Sequence, residues 1–214
     1  LKPQIEEILY GAMEDYQIDI MIGSGAGATS IKMDIPKFTL IGATTKLSKL
    51  TGPLRDRFGN VLKLDFYERD ELEKIIERSF RIFGVPGSPA VYGFVATKSR
   101  GTPRIANRYV KVLRDYATVG KNIQELSVTE GVFRDLGIDD AGLDGLDRKL
   151  LSALSGQFAG RPVGLGTLAS IVGEEESTLE DVVEPYLLKI GYLERTPRGR
   201  QITPAGERYI GKLK

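Results

Sequence analysis

The spacing of the apolar residues changes near Tyr67, and this change divides the chain into parts of different secondary structure. Before that point, alternating apolar residues at 17–22 and 31–35 flank a glycine-rich link, a pattern that predicts a β-hairpin. The nearly continuous apolar run at 38–45 and a shorter run at 61–66 predict strands of a parallel sheet. After Tyr67 the apolar residues recur at helical spacing. We therefore expect an α/β core remnant followed by helical structure.

Two further segments follow the α/β part. The first carries an amphipathic stripe that includes Ile76 and Phe80, and a helix start at Thr102-Pro103, so it predicts an all-α domain. The second shows three helical runs and then a strand, a basic turn and a strand, which is the plan of a winged helix. In that plan the third helix and the wing can both meet DNA. We predict three domains, at 1–67, 68–140 and 141–214.

The composition excludes several classes of chemistry. The chain has no cysteine and no histidine, which excludes disulfides, Cys/His metal sites, cysteine nucleophiles and histidine acid–base catalysis. A net charge of +1 excludes a uniformly basic nucleic-acid coat but leaves room for a local basic patch. The absence of disulfides fits a reducing cytoplasm. No apolar run approaches the roughly 18 residues of a membrane span, so we expect no membrane association.

The glycine-rich stretch 23–30 invites comparison with a phosphate-binding loop. Such a loop needs lysine and then serine or threonine directly after its last glycine, because the lysine must reach the β- and γ-phosphates. Here the first lysine is Lys32, inside the next predicted strand. We therefore interpret 23–30 as the tip of a hairpin and predict that the chain has no P-loop. Leu1 opens a stretch typical of the interior of a longer protein, so we also expect this chain to be a piece of one.

Three polar positions have both a structural and a functional interpretation. Thr45 ends a predicted buried strand, where it is either simple strand-end polarity or a ligand-facing hydroxyl. Arg57 is either a solvated helix residue or a guanidinium that stabilises charge on a neighbouring subunit's γ-phosphate. Arg104 lies in the first turn of a predicted helix, where the helix dipole disfavours a cation and a nearby anion would offset that cost.

Several stretches together resemble the RuvB family of AAA+ ATPases, in the family's order and over nearly the whole chain. They are Ala-Met-Glu-Asp-Tyr-Gln-Ile-Asp-Ile-Met-Ile-Gly at 12–23, Phe-Thr-Leu-Ile-Gly-Ala-Thr-Thr at 38–45, Pro-Leu-Arg-Asp-Arg-Phe-Gly at 53–59, Arg-Gly-Thr-Pro-Arg-Ile-Ala-Asn-Arg at 100–108, and Glu-Pro-Tyr-Leu at 184–187 with Arg-Thr-Pro-Arg-Gly-Arg at 195–200. The resemblance implies the end of an AAA+ core with a protruding hairpin, a helical AAA+ lid and a C-terminal winged helix.

The resemblance also implies roles for individual residues. Thr45 would be sensor 1, Arg57 the arginine finger acting on a neighbouring subunit, and Arg104 sensor 2. The nucleotide pocket would be lined by Glu14, Asp15, Tyr16 and Tyr67. Ile31 and Met33 would be apolar contacts to RuvA, although without the family they indicate only a half-buried strand face. The DNA contacts of the wing would be Arg195, Arg198 and Arg200, with Arg195 and Arg200 the leading candidates.

The activity implied is that of a cytoplasmic, homo-hexameric motor, dependent on ATP and Mg²⁺, that drives branch migration of Holliday junction DNA in recombination and repair with RuvA and RuvC. In this family the P-loop and the acidic Mg²⁺-binding motif lie upstream of the position of Leu1. We therefore expect no metal site in this chain and no ATP hydrolysis by it alone. Two alternatives stay open: a winged-helix DNA-binding module without motor function, and a clamp-loader-like AAA+ subunit.

Overall fold

The computed structural model describes residues 3–22 and 29–212, with the side chains of residues 3, 4, 22 and 29 left aside. The chain forms two compact units, Leu1–Leu64 and Asp65–Lys214. We call residues 65–139 the lid region and residues 140–212 the winged-helix region, and both belong to the second unit. In the described parts of the chain, no helix is long and apolar enough to cross a membrane.

The first unit is built around a helix and a hairpin. Helix α1 (Pro3–Glu14) leads through Tyr16, whose φ of +55° makes a tight turn, into strands β1 (Gln17–Ile22) and β2 (Thr29–Asp34). The two strands pair antiparallel, with Ile18 opposite Met33 and Ile20 opposite Ile31. The predicted hairpin is therefore confirmed, and its glycine-rich tip at 23–28 lies outside the described residues.

The predicted parallel-sheet strands at 38–45 and 61–66 are corrected by the structure. Both sheets in the described part of the chain are antiparallel and two-stranded, and neither contains these segments. The segments run without regular secondary structure, and Ile41 is 89% exposed. A strand exists only when a neighbour supplies the hydrogen bonds of the ladder, and apolar periodicity cannot guarantee that neighbour. The only regular elements after the hairpin are a short 3₁₀ turn (Leu47–Lys49) and helix α2 (Gly52–Arg57), within the described residues of this unit.

The lid region consists of helices, as predicted. They are α3 (Arg69–Ile82), α4 (Pro89–Lys98), α5 (Pro103–Thr118) and α6 (Leu126–Asp135). Helix α3 begins with a capping box, in which the Glu68 backbone N–H donates to the Glu71 carboxylate at 2.9 Å. Buried residues of all four helices form the core, among them Ile76, Phe80 and Tyr109. The amphipathic stripe that predicted this region is therefore part of its core.

The winged-helix region has the predicted three helices and a hairpin. They are α7 (Gly145–Ser152), α8 (Leu165–Val172), the composite third helix formed by α9 (Glu176–Thr178) and α10 (Glu184–Lys189), and strands β3 (Leu193–Thr196) and β4 (Gly199–Ile202). A π-helical turn, Leu179–Val183, joins α9 to α10. Pro185 explains this turn, because proline cannot donate the backbone hydrogen bond that a regular helix needs there.

A further helix and a backbone bridge in this region were also not predicted from the sequence. Helix α11 (Pro204–Gly211) follows the wing, with Thr203 as its N-cap. Val163 also pairs with Arg200 of β4, through backbone hydrogen bonds of 2.8 and 2.7 Å. The hairpin is thereby tied to the segment between the first two helices.

Candidate functional site

Arg57 lies at the end of α2 and is held inside its own unit. Its Nη2 lies 2.8 Å from Glu14 Oε1, its Nη1 donates to Pro53 O at 3.0 Å, and its guanidinium lies 4.4 Å from the Tyr10 ring centroid. Its Nε is buried and has no hydrogen-bond partner among the described residues. The structure thus brings together two residues of the predicted site, Arg57 and Glu14, as an ion pair.

The other predicted residues of the first unit lie on its surface. Thr45 and Asp15 are exposed, and the hydroxyl of the neighbouring Thr44 accepts from Lys46 N at 3.0 Å. The Tyr16 ring meets the edge of Phe38 with centroids 6.3 Å apart. The sequence predicted that these residues act at one nucleotide site. In the structure no hydrogen bond or ion pair between their side chains is seen among the described residues.

Arg104 and Tyr67 flank one turn of the second unit. The Tyr67 N–H donates to Gly101 O at 2.9 Å, just before the start of α5. Arg104 lies exposed in the first turn of that helix, and this turn contains no acidic residue. Because the N-terminal end of a helix carries partial positive charge, a cation there is favoured when an anion binds beside it. The position fits contact with a phosphate.

A cluster around Arg100 was not found by sequence reasoning. The Arg100 side chain is 8% exposed, and its Nη2 lies 2.5 Å from Asp147 Oδ2, a carboxylate that is 1% exposed. Asp147 also completes the capping box of α7, accepting from Asp144 N at 2.8 Å. The signal available in the sequence was the Asp144-x-x-Asp147 pair before an apolar helix, which is a capping pattern. Nothing local in the sequence pointed to Arg100 as its partner.

Asp147 has a strongly perturbed ionisation. Burial raises the pKa of this carboxyl from 3.8 to about 6, against the lowering influence of the Arg100 charge. The pKa is higher in the folded state than in the unfolded state, so protonation stabilises the fold as the pH falls through 6. We compare the free energy of unfolding of the wild type with that of Asp147→Asn. As the pH falls from 7 to 5, this difference should change by about 1 kcal/mol in favour of the wild type.

Urea denaturation of both proteins at the two pH values measures this shift. The exposed Asp135→Asn variant is the control for loss of any carboxylate. A difference between wild type and Asp147→Asn that stays constant with pH would contradict the prediction.

The wing arginines are organised by one buried carboxylate, Glu184, which is 0% exposed. Arg195 Nη2 lies 2.6 Å from Glu184 Oε2, and Arg200 Nε lies 2.7 Å from Glu184 Oε1. The two arginines face each other across β3 and β4. Arg198 lies in the turn between the strands with an exposed side chain. The two arginines that led the sequence prediction are therefore also structural, whereas Arg198 faces solvent.

Glu184 was missed from the sequence. The available signal was a carboxylate within the apolar run Val182-Val183-Glu184-Pro185-Tyr186-Leu187 of an amphipathic helix. A charge at such a position is buried only when it is paired. Here both partners come from the wing, 11 and 16 residues further along the chain.

The third helix itself presents an acidic surface. Its exposed residues include Glu176, Glu180 and Asp181, preceded by Glu174 and Glu175. Carboxylates are repelled by a phosphate backbone, so this helix is poorly suited to enter a DNA groove. Of the two winged-helix elements expected to meet DNA, the charge distribution favours the wing.

Three family models match consecutive parts of the chain. The Holliday junction DNA helicase RuvB P-loop domain matches residues 1–64, the RuvB AAA lid domain residues 67–139, and the RuvB C-terminal winged helix domain residues 140–211. The predicted order of AAA+ core, lid and winged helix is thereby confirmed.

Across the described residues, no group of three carboxylate, cysteine or histidine side chains could hold a metal ion.

Solved structures give the same result. The Thermotoga maritima RuvB Holliday junction branch migration motor is 42% identical with a TM-score of 0.81, over 99% of this chain and 66% of that one. A point variant of the same protein is 43% identical with a TM-score of 0.83, over 99% of this chain and 67% of that one. This chain thus spans about two thirds of the length of the Thermotoga proteins. On both the family models and the structural likeness, the chain belongs to the RuvB family.

Proposed function

We propose that this chain supplies the DNA-binding wing and several nucleotide-contacting residues of an ATP-dependent Holliday junction branch migration motor. The observation that carries the proposal is the wing, where buried Glu184 orders two arginines and leaves Arg198 exposed at the turn. The printed description of the Thermotoga relative as such a motor supports the same activity. Arginine contacts of this kind bind phosphates and set position without reading sequence. That suits a motor that must move along any duplex.

Nucleotide contacts are proposed for both units. Arg104 and Tyr67 flank the turn that opens α5, and the charge of Arg104, in a first turn without acidic residues, suits a phosphate of the subunit's own ATP. Arg57 is proposed to act on a neighbour's nucleotide, with Thr45, Glu14, Asp15 and Tyr16 as further contacts of the first unit. ATP would supply the phosphoanhydride whose hydrolysis drives movement. Mg²⁺ is proposed with ATP for the whole motor on the family relationship alone.

The β1–β2 hairpin offers a surface for a protein partner. Ile18, Ile20, Ile31 and Met33 share one face of the hairpin, and the last three are exposed. Apolar side chains grouped on an exposed strand face are typical of an interaction site. We propose RuvA as the partner of this face. RuvC, a homo-hexamer and a cytoplasmic location are proposed on the family relationship alone.

The two other functions considered from the sequence are less well supported. A simple winged-helix module would not account for residues 1–139, which match the P-loop and lid models. A clamp-loader-like subunit would not account for the C-terminal winged helix.

DNA binding through the wing is tested best with Arg198→Ala. Alanine at Arg195 or Arg200 would also leave Glu184 buried without its partners, so a loss of binding there would mix misfolding with lost contacts. We expect Arg198→Ala to weaken binding to duplex DNA several-fold and to reduce the slope of log affinity against log salt by about 1.

Fluorescence anisotropy with a labelled duplex at several salt concentrations measures both quantities. Arg208→Ala, which removes an exposed arginine on α11, is the matched control and should change neither. Equal effects of the two variants would mean that the wing turn is not the contact surface.

ATP hydrolysis by the isolated 214-residue chain is expected to be undetectable. The reason is that no lysine follows its glycine-rich stretch in the P-loop arrangement. A phosphate-release assay with the purified chain measures the rate. Turnover that disappears in Arg57→Ala would show that the chain holds a complete catalytic site and would contradict this expectation.

A further inference from the structure

Arg100 adopts a backbone conformation that arginine rarely takes. Its φ is +56°, and Gly101 follows with a φ of +74°, so the chain makes a left-handed turn between α4 and α5. A non-glycine residue in this region costs about 1 kcal/mol and is kept only where the surroundings hold it. The turn is held by the Thr102 N–H, which donates to Ser99 O at 2.9 Å. This conformation directs the Arg100 side chain away from its own helices.

Within the described residues, the partners of the Arg100 guanidinium belong to the winged-helix region. Nε donates to Gly142 O at 2.8 Å, Nη2 bonds Asp147, and a weaker contact of 3.4 Å reaches Asp144. The guanidinium also lies 5.0 Å from the ring centroid of Tyr186 on α10. One lid residue thus touches the start of the winged helix, the cap of its first helix and its third helix. A planar guanidinium fork with several buried partners permits little relative movement.

Neighbouring contacts strengthen the same junction. Lys98, also nearly buried, donates to Asp140 O at 2.9 Å. Gly142, with a φ of +74°, passes so close to Lys98 that an added Cβ would lie 3.2 Å from the Lys98 carbonyl oxygen. On the other side of the turn, Lys189 Nζ lies 4.2 Å from the Phe66 ring centroid. Adjoining domains move relative to one another unless their interface prevents it, and these buried polar contacts oppose such movement.

Arg104 lies four residues after Arg100, on the first turn of α5. We propose that Arg100 is a positioning residue that locks the lid to the winged helix, so that a displacement at Arg104 is carried directly to the wing. The roles of Arg104 in nucleotide contact and of the wing in DNA contact rest on the proposed function. The rigid connection between lid and winged helix requires neither nucleotide nor DNA. The short segment 100–104 therefore joins the two sites: Arg104 is the proposed nucleotide contact, and Arg100 contacts the winged-helix region.

The test measures the distance between the two regions in the whole chain. Because the chain contains no cysteine, Val119→Cys in the lid and Val182→Cys in the winged helix provide two unique sites for spin labels. Both valines are exposed. We call the spin-labelled double-cysteine chain with Arg100 unchanged the parent, and we expect pulsed electron paramagnetic resonance to give one narrow distance distribution for it. Arg100→Ala should broaden it, whereas Arg134→Ala, which removes an exposed lid arginine, should leave it narrow.

Amide exchange of the buried segments of each region separates loss of coupling from loss of folding. Broadened distances with protection retained in both cores support the proposal, and distances as narrow as those of the parent overturn it. If Arg100→Ala does not fold, Arg100→Lys decides, since it keeps the charge but cannot form the fork and should still broaden the distribution. Failure of both variants to fold would show that Arg100 serves the lid fold itself, which also overturns the proposal. The proposed function and this proposal can fail separately, because the spin-label distances do not depend on whether the wing binds DNA.

Discussion

Replacing Glu184 with alanine is expected to lower the free energy of unfolding of the second unit by about 3 kcal/mol. The Glu184 carboxylate is fully buried and receives hydrogen bonds from Arg195 and Arg200 at 2.8 and 2.7 Å. Without it, two guanidinium groups on adjacent strands face each other with no counter-charge. Arg195 is 46% exposed and can regain water, whereas Arg200 is only 18% exposed, so the expected cost is below the upper limit for breaking a buried ion pair.

Urea denaturation followed by circular dichroism measures this loss. Glu180→Ala is the matched control, because Glu180 lies on the same third helix, is half exposed and approaches the two arginines only at 3.9 and 3.7 Å. Exposed pairs of this kind contribute up to about 1 kcal/mol, so its effect should be much smaller. Similar losses in the two variants would mean that the burial of Glu184 has no special importance.

Replacing Gly199 with alanine is expected to destabilise the wing by about 3 kcal/mol. An added Cβ would lie 2.3 Å from the carbonyl oxygen of Val163, far inside contact distance. The Val163 carbonyl belongs to the backbone and the Cβ position is fixed by its Cα, so relief requires the strand to move. That movement breaks the two hydrogen bonds that join Val163 to Arg200. Gly199 also has a φ of +130°, which alanine adopts only with strain.

Gly191→Ala separates these two causes. Gly191 also has a positive φ, +71°, but an added Cβ there meets nothing within 4 Å. Its substitution should therefore cost only the backbone strain, about 1 kcal/mol. Denaturation of both variants gives the comparison, and a Gly199→Ala loss no greater than that of Gly191→Ala would exclude close approach to Val163 as the cause. The same experiment tests whether the wing depends on its bridge to the segment before α8.

Glu184 and Gly199 also matter for the proposed DNA contact, because both keep the base of the wing in place. Arg195 and Arg200 keep their positions through Glu184, and Arg200 is additionally fixed by the backbone bridge to Val163. Arg198 is carried at the turn between these two fixed positions. A wing whose base is rigid presents its exposed arginine at a defined place without a large loss of conformational entropy on binding.

The local elements and their order could be predicted from the amino-acid pattern alone. The hairpin at 17–34 follows from alternation of apolar residues, the lid helices from their helical spacing, and the wing from two short strands around a basic turn. These are properties of neighbouring residues, which is why they can be predicted without the rest of the fold. Recognition of the family depended on the same kind of information, as several short motifs in a specific order.

Which charged groups meet, and which apolar segments pair as strands, depends on long-range packing. Arg100 and Asp147 are 47 residues apart, and their contact depends on how the lid and winged helix pack. The apolar segment 38–45 has the composition of a buried strand, yet it is exposed because a strand needs a neighbour that its own residues cannot supply. Arg195 and Arg200 suited a phosphate by their chemistry, but their pairing with Glu184 follows from burial of that carboxylate against the wing. Long-range packing sets the surroundings of a charge, and those surroundings determine whether it serves the fold or faces a ligand.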